Sequence, residues 1–320
     1  MGPKGTFSHE IAETVCDRDE EIIFFPTIRE VFAAVTGRSS EYPDLRGIVP
    51  VENSGAGGVF ETLECLLKED CTVRAEYYLP IRYVFAVAKG KSADMRAQAL
   101  AKVYAHPQAH AQCSAFLAGL GNAAVVHTTS NAKSAEETLN DVSELTAAVT
   151  TRSAAGIYGL EIIRENIQNY DTNTTRFLEI RKAAPEKPRV YGSSADSGDC
   201  CGCDGSDGCG TKCSIVVMPK GNYPGLLYRI LSVFAGREIN LTRIESRPSG
   251  DMMGKYVFFI DYEFGSELDA AGNLERPPSV KRVTALVRHG EFADLLAGNA
   301  HNGRRVARSA ILIQGNGANR

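Results

Sequence analysis

Four short polar stretches carry residue types that could do chemistry. The first is Gly2-Pro3-Lys4-Gly5-Thr6-Phe7-Ser8, a Gly-rich turn ending in Thr and Ser. Ahead of a helix, such a turn offers free backbone N–H groups to an anion, reinforced by the helix dipole. The same residues also read as a plain N-cap turn. It is not a P-loop, because the lysine precedes the second glycine instead of following it. The second is Glu52-Asn53-Ser54, at the end of an apolar run and before Gly55-Ala56-Gly57-Gly58. Asn53 and Ser54 can donate to carboxylate or hydroxyl oxygens; the alternative is an Asx/ST turn capping the next helix. The third is His106-Pro107-Gln108-Ala109-His110. It offers His106 as a base and Gln108 as an oxygen ligand, against a structural histidine at a Pro turn. The fourth runs from Asn169 to Phe177, NYDTNTTRF. Strand alternation puts Thr175 and Phe177 on one face and Arg176 on the other. Arg176 suits a carboxylate; a surface arginine on an edge strand is the bland alternative.

Five of the nine cysteines, Cys200, Cys201, Cys203, Cys209 and Cys213, crowd into one short stretch. Close thiolates could bind zinc or an iron–sulfur centre. The spacing lacks two C-x-x-C knuckles, so reduced thiols in a flexible Gly-rich insert remain the alternative. Cys16, Cys65, Cys71 and Cys113 fit apolar or half-buried helix positions.

The elements that must position these residues are legible as patterns. Residues 1–182 alternate short apolar runs with helical segments. Strands are expected at Glu21–Phe25, Arg46–Val51, Ile81–Ala88, Lys102–Ala105, Ala123–His127, Ala147–Thr150 and Thr174–Arg181. Helices are expected at Val59–Lys68 and Gln108–Leu117, and from a capping box at Ser134–Glu137. The alternation predicts an α/β domain with mostly parallel sheets. Residues 183–213 are rich in Gly, Ser, Asp and Pro and read as a linker or insert. Residues 214–320 restart a compact pattern. Strands are expected at Ser214–Met218, Ile239–Ser246, Lys255–Phe264 and Arg305–Ile313, with helices at Pro224–Gly236 and within Val280–Leu296. That order, βαββαβ, is ferredoxin-like.

Length and composition bound the rest. At 320 residues the chain has room for two or three domains. Lys+Arg 35 against Asp+Glu 39 gives a net charge of −4, which leaves no broad basic field for nucleic acid. No apolar run approaches the ~18–20 residues of a membrane span, and the N-terminus lacks a secretory pattern. A cytoplasmic location is expected.

Together the polar stretches carry a resemblance. GPKGTFS, PVENSGAGGV, HPQAHAQC and TNTTRFLEI, in that order, resemble the motifs of the prephenate dehydratase family. Gly225-Leu226-Leu227 and NLTRIESRPSGDMMGKYVFFIDYE are similar to that family's ACT regulatory domain. The resemblance covers roughly residues 1–182 and 214–264.

The resemblance implies a fold of two α/β lobes like a type-II periplasmic binding protein, followed by the ACT domain. It implies conversion of prephenate to phenylpyruvate, with water and carbon dioxide expelled and the ring aromatised, and no cofactor. The rival readings are arogenate dehydratase and a non-catalytic phenylalanine sensor. By resemblance Thr175 is the catalytic threonine, a positioned hydroxyl donor to the leaving oxygen. Thr6, Ser8, Asn53, Ser54, Gln108, Thr151 and Asn173 are the neutral donors, Arg176 is the carboxylate clamp, and Phe177 is a wall against water. Glu52 would order Asn53 and Ser54. L-Phenylalanine would bind as effector at a dimer interface through Gly225, Leu226, Asn240, Leu241, Glu245 and Ser246, in a homodimer or homotetramer.

The chain also departs from the family. The short strand usually found before the Gly-Pro turn is missing ahead of Gly2: either the start lies upstream of Met1 or another segment covers the exposed sheet edge, and a chain that begins at Met1 is expected to show lower stability and impaired activity. Arg152 follows Thr151 where the family has small or polar residues. Leu226 replaces an alanine and would crowd the effector pocket, and the final residues lack the family's Gly-Ser-Tyr pattern.

Overall fold

The computed structural model describes residues 2–17, 19–37, 45–92, 100–141, 145–183, 212–219, 222–236, 238–250 and 254–263, plus three short strand pieces. The chain divides into two compact units, residues 1–63 with 77–179 and residues 64–76 with 180–320.

The first unit opens with α1 (Phe7–Val15), capped by the Thr6 side chain, which accepts from the His9 N–H. Next comes α2 (Ile28–Val35), where the Thr27 hydroxyl caps the helix by accepting from Glu30 N at 3.2 Å and donates to the Glu30 carboxylate at 3.2 Å. The strand β1 (Arg46–Asn53) alternates half-buried and buried residues. It ends in a tight return to β2 (Gly57–Gly58), antiparallel through Glu52↔Gly58 and Asn53↔Gly57. After α3 (Phe60–Lys68) and β3 (Cys71–Pro80) the chain crosses to a second sheet.

That sheet comprises β4 (Val84–Ala88), β5 (Lys102–Ala105), β6 (Ala124–His127), β7 (Thr146–Thr150) and β8 (Leu160–Glu165), in the order β6-β5-β7-β4-β8. Its helices are α4 (Pro107–Gln112), α5 (Ser114–Ala118), α6 (Asn131–Asn140) and α7 (Arg152–Ile157). The last strand, β9 (Thr174–Lys182), returns to the first sheet, giving the order β2-β1-β9-β3. Each lobe therefore owns one sheet, and β9 carries the chain back between them. The division into units falls inside α3, β3 and β9.

Several sequence expectations change. The second sheet is mixed: β5 pairs in parallel with β6 and β7, while β4 pairs antiparallel with β7 and β8. The run Glu21–Phe25 forms no strand; among the described residues its backbone is tied through the Gly2 N–H to Phe25 O, 2.9 Å. The apolar pattern is strand-like, but a strand also needs a partner ladder. Between this run, α1, α2 and the start of β1 lies a cavity of about 250 Å3, lined in part by Ala12, Val15, Ile22, Val31 and Val35. The helix expected to open at Ser134 starts three residues earlier, with Ser130 as its cap accepting from Lys133 N. The helix expected over Gln108–Leu117 is two helices. The break at Cys113 is held by Asn169, whose side chain donates to Ala111 O and Ser114 Oγ and accepts from Ala115 N.

The second unit has β10 (Lys212–Val217), α8 (Leu226–Ala235), β11 (Leu241–Pro248) and β12 (Tyr256–Glu263). Short pieces follow: β13 (Glu267–Leu268), β14 (Leu274–Glu275) and β15 (Ile313–Gly315). The sheet order is β11-β12-β10-β15, with antiparallel pairing throughout. With the four strands of this sheet numbered in chain order this is 2-3-1-4, the order of a ferredoxin-like sheet, as expected. One face packs on α8 through Ile215, Ile230, Phe234, Ile260 and Tyr262. The expected helix within 280–296, the linker from 184 to 211, and the cysteines from Cys200 to Cys209 lie outside the described residues.

Candidate functional site

Two of the polar stretches singled out in the sequence, the second and the fourth, meet where the lobes of the first unit join. The Gly2–Thr6 turn docks on the start of α7. Gly5 has φ +86°, and a Cβ there would stand 2.7 Å from Ala154 Cα and 2.8 Å from Ala154 Cβ. Only glycine permits both the backbone angle and the approach. Thr151 caps α7, accepting from Ala154 N at 2.9 Å, and donates its own proton to Gly5 O at 2.6 Å. Thr6 is similarly occupied, donating to Pro3 O and accepting from His9 N. His9, which the sequence reading passed over, accepts from Gly5 N through Nδ1 at 3.1 Å. The first motif therefore works here as a docked turn. Ser8 is buried in the first turn of α1.

The second and fourth stretches form one network. Asn53 Oδ1 accepts from the backbone N–H groups of Gly55 (3.0 Å) and Ala56 (2.9 Å). Those donors are unambiguous, so they fix which way the amide points. Asn53 Nδ2 therefore faces the other way and donates to Asn173 Oδ1 at 2.8 Å and Thr175 Oγ1 at 2.9 Å. Asn173 must then present its Nδ2 elsewhere, and it donates to Gln112 Oε1 at 3.0 Å. Ser54 pins the two loops together, accepting from Thr174 N at 3.0 Å and donating to Thr172 O at 3.3 Å.

The consequence is directional. Thr175 Oγ1 accepts from Asn53, so its own hydroxyl proton is left for another acceptor. Asn53, Asn173 and Thr175 are all buried, which strengthens each bond and holds the direction firmly. Gln112 belongs to this network, yet in the sequence it looked like an ordinary helix residue. The clue was its place four residues after Gln108, which puts both on one face of α4.

Arg176 is 6% exposed and reaches Glu52 Oε2 at 3.4 Å through Nη1. Glu52 therefore meets Arg176, a contact the sequence reading did not foresee. Phe177 is 1% exposed and packed within β9. Gln108 is exposed, with its backbone N–H donating to His106 Nδ1 at 3.3 Å. Burial, and to a smaller degree the neighbouring His127 imidazole, pushes the His106 pKa down. His106 therefore favours its neutral form as the cap of α4. Arg152 pairs with Glu165 on the surface.

In the second unit Gly225 sits at φ +83° immediately before α8. Leu226 is buried in the core beneath β10 and β12, with Leu241 packed against its edge. Glu245 binds Arg243 at 2.7 Å and also pairs with Arg247, while Asn240 and Ser246 are exposed. Among the described residues no group of three or more His, Cys, Asp and Glu could hold a metal ion. No helix among them is long and apolar enough to cross a membrane.

Residues 1–185 match the family model described as prephenate dehydratase, and residues 222–271 match the ACT domain. The prephenate dehydratase of Methanocaldococcus jannaschii is 33% identical over 302 residues, covering 92% of this chain and 94% of that protein. The bifunctional chorismate mutase/prephenate dehydratase of Aquifex aeolicus is 37% identical over 264 residues, 82% of this chain; the match spans only 64% of that longer protein. The crystal structure of prephenate dehydratase from Arthrobacter aurescens, in complex with L-Phe, superposes with a TM-score of 0.65 at 28% identity, covering 82% of this chain and 78% of that one. The chain belongs to the prephenate dehydratase family, with an ACT domain on the C-terminal side of its catalytic part.

Proposed function

We propose that this chain converts prephenate to phenylpyruvate and that Thr175 is the group that assists the leaving hydroxyl. The observation that carries this reading is the direction of the Asn53–Thr175 hydrogen bond. A hydroxyl that already accepts has its proton free to donate to the departing oxygen, without having to reorient. A threonine hydroxyl is too weak an acid to surrender that proton outright. It therefore stabilises developing charge on the oxygen, with water as the eventual proton source. The C–O bond breaks as the ring carboxylate leaves as carbon dioxide, and its bonding pair enters the ring. Aromatisation makes the step strongly downhill, so the protein's main tasks are to orient a dianion and keep it poorly solvated.

Arg176 supplies positive charge for a carboxylate, with Glu52 fixing its position. Asn53 and Asn173 hold the direction of Thr175. Thr6, Ser54 and Thr151 shape the walls through their backbone bonds, Ser8 and Gln108 remain candidate donors, and Phe177 excludes water from beneath. In the second unit, Gly225, Leu226, Asn240, Leu241, Glu245 and Ser246 form the proposed phenylalanine site. We place that site at an interface between copies, in a homodimer or homotetramer.

The test is phenylpyruvate formation from prephenate, with and without phenylalanine, in the wild type and Thr175→Ala. Turnover is expected in the wild type, with loss of about 10²–10³ in kcat and retained prephenate binding in the variant. Absence of turnover in folded wild type that still binds phenylalanine would favour a sensor. Faster turnover of arogenate than of prephenate would move the assignment to the aminated substrate.

A further inference from the structure

His110 and His127 lie 17 residues apart in sequence yet meet side by side. His110 Nδ1 stands 3.0 Å from His127 Nε2, with ring centroids 5.3 Å apart and planes at 56°. The topology brings them together. The strands β5 and β6 run in parallel, with Ala105 opposite His127. His106 then opens α4, which carries His110. Both rings thus sit at the carboxyl ends of parallel strands, the edge at which α/β sheets commonly place ligands. His127 is exposed and His110 half-buried, so solvent species can reach the pair.

We propose that this pair is a binding site for a divalent late transition metal of the Ni2+ or Cu2+ type, separate from the dehydration chemistry. Neutral imidazole nitrogens are good ligands for these ions. Either ring can move its proton to the other nitrogen, which leaves both facing lone pairs free. With metal–nitrogen bonds of about 2.0–2.1 Å, a tetrahedral ion would hold two ligand nitrogens about 3.3 Å apart, and a right-angled pair about 2.9 Å. The 3.0 Å observed lets one ion bridge the pair in either arrangement after a small adjustment, so the choice of Ni2+ or Cu2+ rests on their affinity for imidazole. No third His, Cys, Asp or Glu joins them among the described residues, so water fills the remaining positions and affinity is modest. The competing account is a plain hydrogen bond between neutral rings.

The probe is Ni2+ added below stoichiometry to the untagged full chain, with its six histidines carrying 13C in the ring. Ring resonances are assigned by single-histidine variants. The signals of His110 and His127 should broaden first. His110→Ala and His127→Ala should each weaken Ni2+ binding at least tenfold, with His106→Ala unchanged. Thermal midpoints of the variants confirm folding, and the resonance readout separates this site from any Ni2+ held by cysteines. Uniform broadening of all histidines, no broadening at stoichiometric Ni2+, or equal binding by the double variant would each overturn the proposal.

Discussion

At the scale of single residues, the function depends on which atom of each amide faces which neighbour. The chain of direction begins in two backbone N–H groups, Gly55 and Ala56, and ends at the Thr175 hydroxyl. Asn53→Asp tests it. The carboxylate would still accept from Gly55 and Ala56, but its second oxygen would face Thr175 Oγ1 and Asn173 Oδ1 with nothing to donate. Thr175 would turn its proton toward that oxygen and away from substrate. A loss of about 10²-fold or more in kcat is expected, together with a lowered thermal midpoint, because a buried carboxylate then faces the Asn173 amide oxygen. A loss confined to KM would instead mean that Asn53 only binds substrate. Gln112→Ala frees Asn173 to rotate and should cost less, about tenfold in kcat. The motifs were visible in the sequence because Asn, Ser, Thr and Arg crowd at strand ends. Their hydrogen-bond direction was not, since it depends on a strand pair 120 residues apart in sequence. Gln112 escaped notice for the same reason, because its partner Asn173 lies 61 residues away in sequence.

At the scale of elements, patterns that depend on local spacing were legible, and those that depend on a neighbour were not. The ferredoxin-like order appeared because Ile215–Val217 and Val257–Ile260 are continuous apolar runs and an amphipathic helical pattern follows the first of them. By contrast, β3 was missed because Arg74 and Glu76 interrupt its apolar residues, and Glu21–Phe25 was read as a strand although no ladder receives it. The cavity beside that run makes α1 and α2 less well supported than the second lobe. Ala12→Leu, a helix-compatible change at the cavity lining, should stabilise the chain by about 1 kcal/mol. A raised thermal midpoint without loss of turnover would bear this out; a lowered one would mean that the space cannot take the branched chain. Two buried thiols add a pH dependence. Burial pushes Cys71 and Cys113 up to about 12, whereas an unfolded thiol titrates near ~8.5. Above that value the unfolded chain sheds protons that the folded chain retains. The stability these thiols contribute is therefore complete below about pH 8.5 and falls as pH rises toward 12, by up to about 1.4 kcal/mol per thiol per pH unit. The thermal midpoint should drop between pH 8 and 10, and the drop should be shallower in Cys71→Ala/Cys113→Ala.

At the scale of the whole molecule, the two functions proposed for the chain sit in different compact units, so feedback requires a coupling free energy. Phenylalanine can shift the catalytic unit only as far as its affinity differs between the active and less active states. Linkage then demands reciprocity: whatever factor separates prephenate affinities with and without phenylalanine must also separate phenylalanine affinities with and without prephenate. Thr175→Ala permits the measurement, since it should bind substrate without consuming it. Titration calorimetry on that variant should return the same ratio in both directions, within the usual 5–150-fold span of such couplings. Gly225→Ala adds a local probe. At φ +83° with open space around a new Cβ, the substitution costs backbone strain of about 1 kcal/mol, not a clash. It should raise the phenylalanine concentration needed for half-inhibition while leaving turnover without phenylalanine unchanged. If turnover falls and the phenylalanine response stays put, Gly225 is only a helix cap, and the effector site must be sought elsewhere in the second unit.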